Sequence, residues 1–551
     1  MRKIMRNLVG CAVLNIVLLP LLLGCGGGSG SGGSSGGSGG SGGSSPTTNT
    51  TYYVDCSAST NGSGTQASPW NALSSVNSTT FGSGDQILLK RGTTCSGTLH
   101  PLGSGASGSP IIIDAYGTGA VPIISGGSNE EALKLLDQQY WEVNDLEITG
   151  GYKYGVFVGA DTASTTFTHI YLSNLNVHGA TDQITTRGGT GEVYFSSYGN
   201  GTLFSDVVID SVTAHDSTVS EGIYVGAGGT FTGSTQTLGS NITIKNSTVY
   251  NVAGDGILLI EATNGVLKNN VVYNSGNCSG CTGSTPSALW EWYCHTCTVL
   301  NNESYSNHSW AGDGGDFDID YYNNDNIVEY NYGHDSEGYC IAFFGAESYT
   351  STNNIFRYNI CSNNAQKSSI AYQGDVFFST WDSGTLNGAE VYNNTFYWNP
   401  ATNAPLLYTT TATFTGTNPN FFKNNIVYST VAGMVQTTSN LTLNNNIYWT
   451  TGSATPTWIY SGTTYSGFSA YQTGTGQDAK SYYADPLLNN PTYHSTGKST
   501  TAFTQQSGSP AHGKGADICS GSSSCSVGTQ DFFGNTVSSA GPFDIGAQQA
   551  P

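Results

Sequence analysis

The chain has 551 residues, with 16 Lys and Arg against 37 Asp and Glu, a formal charge of −21, and only 10% of its residues are charged. So acidic a chain offers no basic patch to neutralise phosphates, which argues against nucleic acid as a partner. Its 33 tyrosines argue against wholesale disorder, and the length is ample for one long core.

The N-terminus reads "MRKIMRNLVGCAVLNIVLLPLLLGCGG": three basic residues, an apolar run and then "LLGC". Basic residues ahead of an apolar run of this length mark a secretion signal and not a membrane span. "LLGC" resembles the bacterial lipobox, which implies a signal peptide over 1–24, cleavage before Cys25 and lipidation of the Cys25 thiol. Residues 25–50 are almost entirely Gly and Ser and are expected to act as a flexible tether with a reach of roughly 25 Å. The folded part is therefore expected to be exported and lipid-anchored, at an outer membrane or cell surface, touching the membrane through this anchor only. A monomer is expected.

From Leu175 onward a short pattern returns at intervals of roughly 20 to 35 residues, the range of solenoid repeats. It reads "LKNNVVYN" (267–274), "LNNESYSN" (300–307), "EYNYGHD" (329–335), "RYNICSN" (357–363), "YNNTFYWN" (392–399), "KNNIVYS" (423–429) and "NNNIYWT" (444–450). Asn270, Asn302, Asn331, Asn359, Asn394, Asn425 and Asn446 then form one column. Asn tolerates the left-handed backbone of a tight turn, and stacked Asn side chains can bond from coil to coil. The pattern resembles the right-handed parallel β-helix family (pectate-lyase-like), which implies an all-β chain of three-strand coils over 111–458. Residues 51–110, opening "TYYVDCSAST", resemble the N-terminal cap of such proteins, and 459–551, with "DPLL" and "SGSPAHGKGAD", resemble their closing segment.

Removing Cys11 and Cys25 from the twelve cysteines leaves an even number, suited to disulfides in an oxidising compartment. Cys56 with Cys95 and Cys519 with Cys525 are expected pairs. Cys278, Cys281, Cys294 and Cys297 form C-x-x-C, twelve residues, C-x-x-C; two crossed disulfides are expected, with a structural zinc site as the alternative.

In the clearest coil, 256–260 reads as the first strand, 266–269 as the second and 271–273 as the third, with Asn270 at the tight turn. In "SWAGDGGDFDIDYYNN" (309–324), Phe317, Ile319 and Tyr321 match inward positions. Alternation then points Asp316, Asp318 and Asp320 outward, with Cα atoms roughly 6.5–7 Å apart, and Asp313 lies in the loop before them. Four carboxylates so close repel one another unless a cation sits among them or some are protonated; oxygen ligands suit Ca²⁺.

Two chemistries are open. The family resemblance implies a Ca²⁺-assisted lyase that cleaves a uronate-containing polysaccharide by β-elimination, with Asp313, Asp316, Asp318 and Asp320 as metal ligands. Its base would be Lys367, expected about 10 Å away by strand spacing, and Arg187 would assist substrate binding. Alternatively, two carboxylates cleave a glycosidic bond as acid and base, with Glu291 or Glu337 completing a pair with Asp318. The GHG and RIK signatures of polygalacturonase-like β-helices are absent. Trp290, Trp292 and Tyr224 are expected to line the cleft as sugar-stacking aromatics, Trp290 beside Asp318. His178, His215 and His334 share a column with Tyr250, Tyr273 and Tyr305, which suggests a stacking ladder, and His334 is a further catalytic candidate because "GHDSEG" leads into the strand beside the aspartates. "NESYSN", "DGGDFDID" and "VEYNYGHDSEGY" also resemble secreted β-helix proteins presumed to act on polysaccharides. A different class remains: a non-catalytic glycan-binding surface protein whose acids hold structural calcium.

Overall fold

A computed structural model describes residues 49–549 apart from 187, 233–234, 283–285, 311, 370–373, 500 and 521–525. Cys25, Arg187 and Cys525 therefore lie outside the described residues.

The chain is a parallel β-helix. Short strands of successive coils pair in parallel register, so Ile257–Thr263 lies beside Leu289–His295, which lies beside Phe317–Ile319 and then Ile341–Gly345. Second strands stack likewise from Val266–Lys268 to Thr442–Asn444, and third strands from Val271–Tyr273 to Ile447–Thr450. Parallel pairing already begins with Thr51–Val54 on Gln86–Lys90. The two helices among the described residues are short, Leu73–Asn77 and Phe468–Thr475.

The asparagine column is a continuous ladder inside the coils. The Oδ1 atoms of Asn302, Asn331, Asn359, Asn394, Asn425 and Asn446 each accept the backbone N–H of the ladder asparagine one coil earlier, at 2.8–3.0 Å. The left-handed residue of the turn is not the ladder asparagine but the one before it: Asn269, Asn301, Asn393, Asn424 and Asn445 have φ of 54–57°, and Tyr330 and Tyr358 take φ of 60° and 51° in the same place. The first residue of each "NN" pair thus supplies a conformation costly for most side chains, and the second satisfies buried backbone donors that the turn leaves open.

The C-terminal end is closed by an antiparallel pairing of Thr457–Tyr460 with Thr463–Ser466 and by the helix Phe468–Thr475, whose Phe468 and Tyr471 rings pack on Trp458. Such a cover removes an open strand edge. The following chain returns along the corner between second and third strands, where Asn393 and Asn424 donate to the carbonyls of Asp544 and Ala516 and Arg357 donates to that of Ser526.

Cys56 bonds Cys95 as expected, and Cys340–Cys361 is a further disulfide inside the coil, joining the residue just ahead of the first strand Ile341–Gly345 to the third strand Ile360–Ser362. Cys519 is disulfide-bonded. The C-x-x-C pairs correct the sequence reading: Cys278 bonds Cys281 and Cys294 bonds Cys297, so each pair closes on itself. Crossed bonds and a four-thiol zinc site are both excluded by placement. Cys294 and Cys297 belong to the coil interior, whereas Cys278 and Cys281 lie in a loop against the Ile184 carbonyl.

Candidate active-site cleft

On the first strands, Ile257, Leu289, Phe317 and Ile341 pair in register and fill the interior. The next residues point outward and form the row Tyr194, Tyr224, Leu258, Trp290, Asp318, Ala342 and Phe377. Asp320 follows on the same face, its N–H bonded to the Glu291 carbonyl at 3.1 Å. Asp318 and Asp320 thus share one strand face, with Cα atoms about 6.5–7 Å apart, and are 6% and 8% exposed. They sit between two aromatic groups. Leu258, Ile260 and Trp290 pack with Tyr224 and Trp292 on one side; Tyr339, Ala342, Phe344 and Phe377 pack with Trp381 and Tyr408 on the other.

Tyr339 was not foreseen from the sequence. Its hydroxyl donates to Asp318 Oδ2 at 3.2 Å and lies 3.0 Å from Ser287 Oγ. Burial, together with the carboxylates of Asp318, Asp313 and Asp320, holds the phenol well above its ordinary pKa, so it stays a donor. Asp255 Oδ1, also unforeseen, accepts both the Trp290 indole N–H and the Ser287 backbone N–H at 2.9 Å. Aligning first strands, as the asparagine turns were aligned, puts Ser287, Gly315 and Tyr339 in one row and would have drawn attention to both.

Several expected site residues are elsewhere. Asp316 points inward: its Oδ1 accepts Ser304 Oγ at 2.9 Å, Ser336 Oγ at 2.6 Å and Asn307 Nδ2 at 3.2 Å, and burial pushes its pKa up to about 8. Asp316 stands in the row just ahead of the first strands, beside Ala288 and Cys340, and that row turns into the core at the corner instead of alternating outward. Glu291 is also interior, between Leu259 and Ile319 and beside the Cys294–Cys297 sulfurs. Among the described residues neither of its carboxylate oxygens has a hydrogen-bond partner, and burial pushes it up to about 8. It cannot pair with Asp318 across a substrate.

Lys367 lies in a loop and not on the strand. It bonds the Ser309 carbonyl and pairs with Glu337 at 2.9 Å. Glu337 also accepts the Ser309 N–H at 2.8 Å and contacts His308 Nδ1 at 3.3 Å. These bonds outweigh its burial and bring its pKa down to about 2. Glu337 and Lys367 thus clasp the loop that carries half-buried Asp313 and are engaged with each other, not with substrate space.

His334 stands in the stack with Tyr305 at 5.0 Å, part of the run from His178 through His215, Tyr250 and Tyr273. It is on the third strand, held between Glu303 at 3.3 Å and Asp335 at 2.7 Å. Neighbouring Tyr332 packs on Tyr493 and Phe503 of the returning C-terminal chain, which covers this face. His334 is buried there, 1% exposed and away from the aspartates' side of the wall, so a catalytic part for it is not supported. Trp290 pairs with Asp318 in register but is 1% exposed; its indole fixes Asp255 and cannot offer a face to a sugar. Trp292, half-buried against Tyr293 and Tyr321, and Tyr224, stacked on Tyr194 at 4.3 Å, retain some surface.

No family model matches the chain. It is 24% identical over 494 residues to a lacto-N-biosidase of Bifidobacterium longum subsp. longum, a match covering 64% of this chain and 31% of that protein. The chain thus spans about a third of that relative's length. Among solved structures, a GH136 lacto-N-biosidase from Eubacterium ramulus, as its selenomethionine derivative and as native protein, superposes with TM-scores of 0.52 and 0.51 at 20% identity, covering 67% of each chain. An alginate lyase from Paenibacillus sp. str. FPU-7 gives a TM-score of 0.40 at 18% identity, covering 59% of this chain and 98% of that one.

Proposed function

We propose that the chain is a glycoside hydrolase acting on an extracellular neutral glycan, with its acid and base drawn from Asp313, Asp318 and Asp320. The observation that carries this reading is the pair Asp318 and Asp320 on one outward strand face between two aromatic groups. Apolar collars suit the C–H faces of sugars, and carboxylates suit their hydroxyls. One carboxylic acid protonates the glycosidic oxygen as its bond to the anomeric carbon breaks. The other carboxylate activates water or attacks that carbon first, and one water is consumed overall. The likeness to lacto-N-biosidases, which are named for glycoside cleavage, supports hydrolysis.

The elimination reading loses two of its parts: Asp316 faces the interior, and Lys367 is engaged by Glu337. Uronate carboxylates would also meet Asp313, Asp318 and Asp320 with repulsion. For calcium, the outward donor set shrinks to those three residues, and one oxygen of Asp318 already accepts the Tyr339 proton. In this reading the enzyme is exported and tethered through Cys25.

The test is a panel of neutral and acidic glycans incubated with the protein from Thr51 onward, each with calcium and with chelator. New reducing ends without near-ultraviolet absorbance are expected. Two of the variants Asp313→Asn, Asp318→Asn and Asp320→Asn should lose at least about 10²-fold in kcat. Calcium-dependent absorbance growth would replace hydrolysis by elimination. Binding without turnover on every glycan would leave a glycan-binding surface protein.

A further inference from the structure

We propose that Tyr339 is the positioning residue of this cleft, its hydroxyl reaching across a coil through the gap at Gly315 to orient the Asp318 carboxylate in a Ser287–Tyr339–Asp318 relay. The proposal rests on the hydrolase reading for its kinetic consequence but not for its geometry.

Ser287, Gly315 and Tyr339 occupy the same place in three successive coils, two residues ahead of Leu289, Phe317 and Ile341. Three side chains stacked there would stand side by side, one coil spacing apart. Gly315 has none, and the Tyr339 ring folds back into its place: a Cβ on Gly315 would fall 2.1 Å from the ring carbons Cδ2 and Cε2. Only because of that vacancy can the Tyr339 hydroxyl meet Ser287, two coils away, while passing Asp318 on the coil between. Ser287 is fixed in turn, since its backbone N–H donates to Asp255.

The ring is locked from the other side by Phe377, near-parallel at 6.0 Å, and by Phe344, edge-on at 6.2 Å. Ser287 Oγ also reaches Asp318 Oδ2, at 3.5 Å, so both hydroxyls converge on that one oxygen. Tyr339 is the nearer donor, at 3.2 Å, and when Ser287 gives its proton to the phenol oxygen the phenol proton is directed at Asp318 Oδ2. One oxygen of Asp318 is thereby engaged, and the carboxylate is held in a single orientation on the outer face of the strand, which is what a general base or nucleophile needs.

Tyr339→Phe keeps the ring against Phe377 and Phe344 and removes only the donor. The expected result is a 10- to 100-fold lower kcat with KM nearly unchanged, an unfolding temperature close to wild type, and an acidic limb of the kcat profile moved to higher pH. Ser287→Ala should shift the same limb in the same direction by less, and it remains informative if Tyr339→Phe does not fold. Gly315→Ala should reproduce the Tyr339→Phe profile by displacing the ring. An independent readout needs no substrate: the ¹³C carboxyl resonance that disappears in Asp318→Asn should titrate at higher pH in Tyr339→Phe than in wild type. An unmoved resonance and an unmoved pH limb in both variants would overturn the proposal. A moved resonance in a protein that cleaves no glycan would uphold the relay and overturn the hydrolase reading instead.

Discussion

Asp316 and Asp318 are two positions apart and lie on opposite sides of one β-sheet wall. Asp316 accepts Ser304, Ser336 and Asn307 inside the coil, and Asp318 accepts Tyr339 outside it. The acidic segment is therefore two populations, one structural and neutralised by burial, the other on the outer face of the first strands.

Asp316 shares full burial with Glu192, Glu291 and Asp375 in other coils, and together these acids make stability depend on pH. Burial pushes Glu192, Glu291 and Asp316 up to about 8 and Asp375 up to about 7. In the unfolded chain each would release its proton near pH 4. Between those values the folded state holds more protons than the unfolded state, so stability falls as pH rises and levels off above about 8. Each acid contributes a slope on the order of 1 kcal/mol per pH unit across that window. Thermal melts from pH 5 to pH 8 should show the decline. Asp316→Asn and Glu291→Gln should each make it shallower, and slopes equal to wild type in both would refute the interior assignment.

Glu337 should behave in the opposite sense. Its pKa is lowered to about 2 by His308, the Ser309 N–H and Lys367, so the clasp is intact above the ordinary glutamate range and is lost only as pH falls toward 2. Glu337→Gln removes the charge that Lys367 holds, and residues 308–314 should then exchange amide hydrogens faster while the asparagine ladder stays protected. Because the Asp313 loop is what loosens, turnover should fall several-fold with little change in unfolding temperature. Unchanged exchange across 308–314 would mean that the clasp does not position that loop.

What could be read from the sequence follows from repetition. Every coil makes the same demand at its second turn, so Asn270 to Asn446 stand out as one column, and the His178–His334 stack repeats in the same way. The contacts that shape the cleft do not repeat. The inward face of Asp316 depends on the corner at which its row, with Ala288 and Cys340, turns into the core. The reach of Tyr339 depends on a glycine in the preceding coil. The covering of the His334 face depends on Tyr493 and Phe503, which return from the far end of the chain and pack on its neighbour Tyr332. Glu291, expected to complete a pair with Asp318 from the preceding coil, lies on the opposite side of its strand from Trp290, as alternation along Leu289–His295 requires.

Burial separates the two C-x-x-C disulfides experimentally. Cys294–Cys297 is enclosed by the core, and Cys278–Cys281 lies partly exposed in a loop. Peptide mapping without reductant should recover each pair closed on itself. Mild dithiothreitol on the folded protein should open Cys278–Cys281 first, and the order should vanish in denaturant. Peptides joining Cys278 or Cys281 to Cys294 or Cys297 would restore the crossed pairing.

The two asparagines of each turn should fail differently. Asn331 Oδ1 accepts the Asn302 N–H at 2.8 Å and Asn302 Nδ2 at 3.0 Å, and its own Nδ2 donates to the Val299 carbonyl at 2.9 Å and to Asn359 Oδ1 at 3.0 Å. Asn331→Leu leaves the buried Asn302 N–H and Val299 carbonyl without partners, so a loss of about 2–4 kcal/mol is expected. Asn269, exposed and at φ 57°, supplies mainly backbone conformation: Asn269→Ala should cost about 1 kcal/mol and Asn269→Gly close to nothing. Urea unfolding of the three variants measures this ranking. If Asn331→Leu were as mild as Asn269→Gly, the ladder would be a by-product of the turn and not what holds successive coils in register.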